Sequence, residues 1–347
     1  MTRLSRCMPH GLVELLVRDG LWTSGQAVGY VEACDPGDRP DALARLTAVL
    51  SAEDRERLLR LALAEMSTIA EPAHRLTGLS VLARLTAPGD TVMLESVLAS
   101  AREAVAGMPA GRRSLALLRA VGRYVAEPGL VADALTAVRA TTVASDMVFA
   151  ARTVIEFCTP EERGALLADA LRAARSVTDE WDRVHLLTAL GPVLAPDALA
   201  EAIRAVEGLT DRDFRVWGTA DLAGHLEPVK RSAAMDRIWP DAGTVADAEY
   251  RADTYQILAE WLDDERRLVA RDRWLAAVAV IDGDQRGWTL AGLANHLVPE
   301  QHAEALRIAR TVTDDCLRAL VLSELASYLA PVDRRQLLRD ALRAVTR

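Results

Sequence analysis

One block of fourteen residues recurs at equal length along the chain: RVHLLTALGPVLAP from Arg183, RVWGTADLAGHLEP from Arg215, RGWTLAGLANHLVP from Arg286 and RALVLSELASYLAP from Arg318. Weaker copies begin at Arg39, Arg75, Arg113, Met147 and Arg251, so successive starts lie 36, 38, 34, 36, 32, 36, 35 and 32 residues apart. A period of that size holds two helices and their loops. A single helical hairpin cannot bury its apolar face alone, so a chain built this way buries it by stacking each hairpin on the next.

With the first residue of each block as position 0, apolar residues recur at positions 4, 7 and 11 and a small residue at 8. Leu187, Leu190, Leu194 and Gly191 show the pattern, as do Leu290, Leu293, Leu297 and Ala294, and Leu322, Leu325, Leu329 and Ala326. This spacing lays one apolar stripe along a first helix, A, and the small residue admits a neighbouring helix at close range. Pro88, Pro160, Pro196, Pro228, Pro299 and Pro331 fall at position 13, where proline ends helix A and sits in the first turn of a second helix, B.

An acid stands four residues before position 0 in Asp35/Arg39, Glu71/Arg75, Asp179/Arg183, Asp211/Arg215, Asp247/Arg251, Asp282/Arg286 and Asp314/Arg318. An acid there caps free amides at a helix start, and the Arg one turn on is placed to pair with it. Seven copies of one pair describe shared geometry and not a catalytic dyad.

Composition agrees with helices. Half of the 347 residues are hydrophobic but only 4% are aromatic, and the apolar mass is Ala, Leu and Val. The net charge of −9 repels polyanions, which disfavours nucleic acid as a partner; Lys230 is the only lysine. Cys7, Cys34, Cys158 and Cys316 lie far apart without metal-ligand spacing and read as free thiols in a reducing compartment. The N-terminal stretch MTRLSRCMPHGLVELLVRDG does not read as a signal peptide, and no apolar run reaches membrane-spanning length, so a cytoplasmic location is expected.

The period, the 4/7/11 stripe, the small residue at 8 and the proline break resemble the tetratricopeptide and HEAT-like class of bacterial α-solenoids over residues 39–347. Leu and Ala stand where tetratricopeptide repeats carry aromatic anchors, and the proline falls between helices A and B. The fold expected is all-α: a right-handed α-solenoid of about nine helix-turn-helix repeats of roughly 35 residues, one domain over residues 1–347, with residues 1–38 forming a divergent N-terminal hairpin. The resemblance implies a protein or peptide partner held on a concave face.

Position 2 of helix A lies nearly opposite the stripe and is expected to face away from the core. That column reads Leu115, Phe149, His185, Trp217, Asp253, Trp288 and Leu320. Large aromatics at positions expected to be exposed mark a binding surface, a ribbon at intervals of about 10 Å if helix A lines the inner face. Arg152, Glu156, Gln256, Glu260 and Asn295 at positions 5 and 9 add polar contacts. A second column at position 10, His225, Trp261, His296 and Tyr328, reads as half-buried packing groups.

The expected function is therefore a non-catalytic protein- or peptide-binding scaffold whose site includes Phe149, Arg152, His185, Trp217, Asp253, Gln256, Trp288 and Asn295. The alternative is an enzyme with a small-molecule pocket in the same groove and His185, Asp253 or His225 as acid/base groups. A HEAT-like DNA-repair enzyme requires a basic groove, and the charge balance opposes it. The Asp263, Asp264 and Glu265 trio reads as a solvated helix start, and no phosphate loop, nucleophile elbow or zinc motif is found, so no catalytic residue, metal or cofactor is assigned. The helix ending at Arg347 leaves an apolar end face that would support end-to-end dimerisation.

Overall fold

The computed structural model describes residues 8–125 and 127–346, with the side chain of Leu293 excepted. The expectations for Cys7 and the rest of residues 1–7, for Leu293 in the apolar stripe and for the end of the chain at Arg347 lie outside the described residues. Among the described residues there are twenty α-helices and no strand.

Two compact units divide the chain, Met1–Glu127 with Gly283–Arg347 and Pro128–Asp282. In the second unit, helices α8 (Pro128–Arg139), α9 (Ala144–Val154), α10 (Pro160–Ser176), α11 (Glu180–Leu190), α12 (Pro196–Glu207), α13 (Arg212–Gly224), α14 (Pro228–Ala242), α15 (Ala248–Trp261) and α16 (Asp264–Val280) follow one another. Helices α9, α11, α13 and α15 each touch the next and form one row, backed by α10, α12, α14 and α16. Position 13 behaves as expected at Pro160, Pro196, Pro228 and Pro331, each the first residue of a helix. Pro299 opens a 3-10 turn, and Pro88 precedes a turn through Gly89 at φ +95°.

The acids before the blocks act as caps. Asp179 accepts from the Asp182 amide at 2.9 Å, Asp211 from Asp213 and Phe214, Asp247 from Glu249 and Tyr250, and Asp314 from Leu317 at 2.7 Å. Asp282 lies outside helix α17 (Gln285–Leu293), and Glu71 makes no side-chain cap. The expected pairing with the Arg does not form at the four caps. Each Arg reaches instead to the carbonyl six residues back, Arg183 to Val177, Arg215 to Leu209, Arg251 to Val245 and Arg318 to Val312, at 2.7–3.3 Å. The acceptors lie where the preceding helix has ended and its last carbonyls have no partner of their own, so the cation satisfies the chain end and the dipole together. A carboxylate already committed to the helix amides is the weaker attraction.

Neighbouring hairpins are stitched in the same way. Glu180 at the start of α11 accepts from the Thr210 and Asp211 amides at 2.9 Å, and Asp213 at the start of α13 accepts from Ala246 and Asp247. These amides hold the Glu180 carboxyl below its ordinary pKa. Small residues set the helix spacing. A Cβ on Gly191 would stand 2.7 Å from the His225 ring, and one on Gly218 would collide with Val184 and reach Val206 at 3.0 Å.

The other unit contains α1 (His10–Arg18), α2 (Ser24–Ala33), α3 (Arg39–Leu46), α4 (Ala52–Glu65), α5 (Pro72–Leu85), α6 (Thr91–Ala104) and α7 (Ala110–Val125), then α17, α18 (His302–Ala309), α19 (Asp315–Ala326) and α20 (Pro331–Thr346). Residues 10–33 thus fold as a helix pair. Buried Arg39 clamps that pair, donating to the Val31, Glu32 and Cys34 carbonyls at 2.9–3.0 Å and pairing with Glu65. Helix α1 packs on α3 and also on α19 and α20. Glu14, only 9% exposed, meets Arg45 at 3.0 Å, Arg45 also approaches Glu324 at 3.6 Å, and Arg334 meets Asp19 at 3.3 Å. Helix α20 thus packs on α1 as well as on α19, and its Leu337, Leu338 and Ala341 are buried.

Close approach at Gly218 generates a prediction. Gly218→Ala forces Val184 and Val206 apart and lowers stability by about 1–3 kcal/mol, whereas Gly164→Ala in α10, with open space around its Cβ, raises it by about 0.5–1 kcal/mol. Thermal unfolding of the two variants beside the wild type checks both signs.

Candidate functional site

Each helix of the α9–α11–α13–α15 row turns positions −2, 2 and 6 of its block to one face, because four-residue steps stay on one side of a helix. On α11 this stripe holds Trp181 and His185, on α13 Asp213, Trp217 and Asp221, and on α15 Glu249, Asp253 and Ile257. The aromatics do not stand apart at helix spacing. Ring centroids lie 4.3 Å apart for Trp181 and His185, 4.8 Å for His185 and Trp217, and 5.3 Å for Trp217 and Tyr250.

Tyr250 explains the collapse. It lies at position −1 of α15, with Phe214 against its ring at 5.3 Å, and its hydroxyl reaches the His185 Nε2 at 3.4 Å and the Trp181 side chain. One side chain from α15 thus reaches two on α11, and Trp217 between them is 8% exposed. The expectation that position 2 faces solvent fails at Trp217 for this reason. It holds at Phe149 and Trp288, which are 53% and 59% exposed. Trp181 stays half exposed at the edge of the cluster.

Asp221 and Asp253 lie on the same stripes. Both are half-buried, and among the described residues neither carboxyl accepts a hydrogen bond or joins an ion pair. Burial pushes the Asp221 carboxyl up to about 6. Burial first, then the negative charges of Glu249, Asp221 and Asp247, push Asp253 up to about 6. Burial also lowers the pKa of His185, against the pull of Asp182. The result is a wall of rings and a neutral imidazole beside two carboxyls that the chain leaves without a counter-charge.

Of the expected site residues, His185, Trp217 and Asp253 belong to this face. Gln256 is half-buried on the same helix as Asp253, while Phe149 and Arg152 are exposed on α9. Trp288 on α17 and Asn295 in the 3-10 turn after it belong to the other unit. Trp181, Phe214, Tyr250 and Asp221 were not singled out from the sequence; following the −2/2/6 stripe finds Trp181 and Asp221, but nothing in the spacing marks Phe214 or Tyr250. The position-10 column has a packing role: His225 covers Gly191, and Trp261 lies 3.2 Å from the Cβ position of Gly224 with Arg231 stacked on it at 3.8 Å.

Trp288 forms the wall of a separate cleft of about 460 Å³, whose lining includes His10, Asp38, Asp284, Asp314 and Leu320. Among the described residues no group of three or more His, Cys, Asp or Glu is placed to hold a metal ion, and no helix is long and apolar enough to cross a membrane. Compared with known protein families, curated proteins and solved structures, the chain matches none.

The raised carboxyls set a pH dependence. For an acid whose folded pKa, about 6, exceeds its unfolded value of 3.8, stability is full below the unfolded value and is lost as pH rises through the folded one. Asp253→Asn removes that loss. It is expected to stabilise the chain by about 1–3 kcal/mol at pH 7.5, with the gain over wild type shrinking from pH 6 downward and gone by pH 4; urea unfolding of both proteins across this range reads the difference.

Proposed function

We propose that the chain is a non-catalytic binding protein of the tetratricopeptide/HEAT-like helical-repeat kind, and that the aromatic and acidic face of α11, α13 and α15 holds a peptide or protein partner. The repeat reading rests on the succession of twenty short helices among the described residues, and on caps and arginine clamps at matching positions. Free thiols at Cys34 and Cys158 accord with a reducing, cytoplasmic setting.

The observation that carries the binding reading is the partnerless pair Asp221 and Asp253. This chain has 41 basic residues and uses its arginines freely to clamp loops and pair with acids, yet it leaves these two half-buried carboxyls alone beside four aromatic rings. Burying charge without a partner costs stability. A partner that brings a cationic residue recovers that cost on binding, and the rings of Trp181, Phe214 and Tyr250 give it rigid apolar contact. An enzyme that used these carboxyls as acid/base groups is the second reading, supported by their values near 6.

Panning a displayed random-peptide library on the full chain tests the first reading. Peptides enriched in Arg and Lys are expected, and an Asp221→Asn, Asp253→Asn double variant, which the pH argument makes more stable than wild type, is expected to bind them about tenfold or more weakly. Absence of any enriched peptide, or equal binding to both proteins, overturns it.

A further inference from the structure

The cleft beside Trp288 lies wholly in the unit of Met1–Glu127 and Gly283–Arg347 and is independent of the face on α11, α13 and α15. Its volume of about 460 Å³ suits a small ligand or one long side chain. No lysine or arginine lines it, whereas three carboxylates do: Asp38, Asp284 and Asp314.

Two of these acids stand at helix starts without capping them, outside the position −4 signature. Asp179, Asp211, Asp247 and Asp314 stand at the N-cap of their helices and cap them. Asp38 and Asp284 also stand at N-caps, of α3 and α17, but their side chains make no capping bond. Among the described residues neither carboxyl accepts a hydrogen bond or joins an ion pair; their hydrogen bonds run through the main chain. Both residues are exposed, so their carboxylates face solvent at the mouth of the cleft, where a cationic ligand can displace water from them.

His10 adds a further acceptor. Tyr30 donates its single hydroxyl proton to the Met8 carbonyl at 2.7 Å, so the 2.7 Å contact from the His10 Nδ1 to the same oxygen requires the proton on Nδ1. Burial lowers the His10 pKa against the pull of Asp41 and Asp38, which keeps the ring neutral and leaves Nε2 as a lone pair. Trp288 supplies a ring face 59% exposed, and Leu320 an apolar side chain. Elsewhere the chain stacks its own guanidinium on such rings, Arg231 on Trp261 and Arg273 on Trp239; Trp288 carries none among the described residues. Among the described residues no three of the acceptors are grouped to hold a metal ion.

We propose that this cleft binds an alkylguanidinium group. A guanidinium is all donor and no acceptor, delocalised over a plane that stacks on indole, with five N–H groups to share among three carboxylates and an aliphatic stem for Leu320. A point-like ammonium satisfies fewer of these acceptors at once.

Isothermal titration of the full chain tests this with two probes, free agmatine and the blocked tripeptide acetyl-Gly-Arg-Gly-amide, each beside a neutral or ammonium control: the citrulline and lysine tripeptides. Binding of agmatine assigns the cleft to a free small molecule, and binding of the arginine tripeptide alone assigns it to a peptide side chain; either supports the proposal. Trp288→Leu, at an exposed position, is expected to weaken the bound probe about five- to thirtyfold, and Asp38→Asn with Asp284→Asn by a comparable factor, with helicity by circular dichroism unchanged. The Asp221→Asn, Asp253→Asn variant keeps full affinity. Failure of both guanidinium probes to bind, citrulline binding as well as arginine, or wild-type affinity in both cleft variants overturns it.

Discussion

Every helix end leaves backbone amides or carbonyls without a partner, and a chain of short helices multiplies such ends. The helices here run from eight to seventeen residues, too short to persist in water on propensity alone. Their persistence depends on how the ends are closed. Asp179, Asp211, Asp247 and Asp314 close the amino ends, and Arg183, Arg215, Arg251 and Arg318 close the carbonyl ends before them. Glu180 and Asp213 then use amides of the next loop, so closing one end also fixes the distance to the following hairpin. Close packing at Gly191 and Gly218 follows only because that distance is already set.

Much of this was legible from spacing because it is local. The stripe at positions 4 and 7 is buried at Leu187 and Leu190, and proline begins the second helix at Pro160, Pro196, Pro228 and Pro331. The Asp/Arg signature was visible, but its wiring was not. Sequence proximity suggested that the two charges meet, while the carbonyl ends that compete for the arginine become apparent only when the loop is folded. The candidate site was legible in part for the same reason. Position 2 gives the side of the helix, and so finds His185, Trp217 and Asp253. It says nothing of Tyr250, which is placed by its reach past α13 and which turns an expected open ribbon into one packed cluster.

The packing of α1 on the last helix was also beyond periodicity. Residues 10–18 carry no copy of the block, and Glu14 looks in sequence like an ordinary helix-surface acid. Its burial comes from Arg18 and Arg45 meeting it from either side, and Arg45 in turn approaches Glu324. A long-range contact of this sort depends on where both ends of a unit arrive, which no local pattern encodes.

Electrostatic economy separates the structural acids from the functional candidates. A carboxylate that caps a helix or holds an arginine lowers the energy of the folded chain, and its pKa falls, as at Glu180 and Asp263. Asp221 and Asp253 do the reverse: their pKa values rise because folding strips water from them and offers nothing in return. Random surface acids escape this conflict by pointing into solvent, and buried ones by finding a partner among abundant arginines. Residues that do neither impose a cost that local folding requirements do not explain. Asp38 and Asp284 differ in another way, occupying N-cap positions without a side-chain cap. The second pair is exposed and carries no such burial cost, but in both places carboxyls without a counter-charge stand beside an aromatic surface. Selection for stability alone would remove the half-buried pair, since a neutral amide of the same shape relieves the cost at Asp253; the chemistry of what it retains is therefore the chemistry of what it binds.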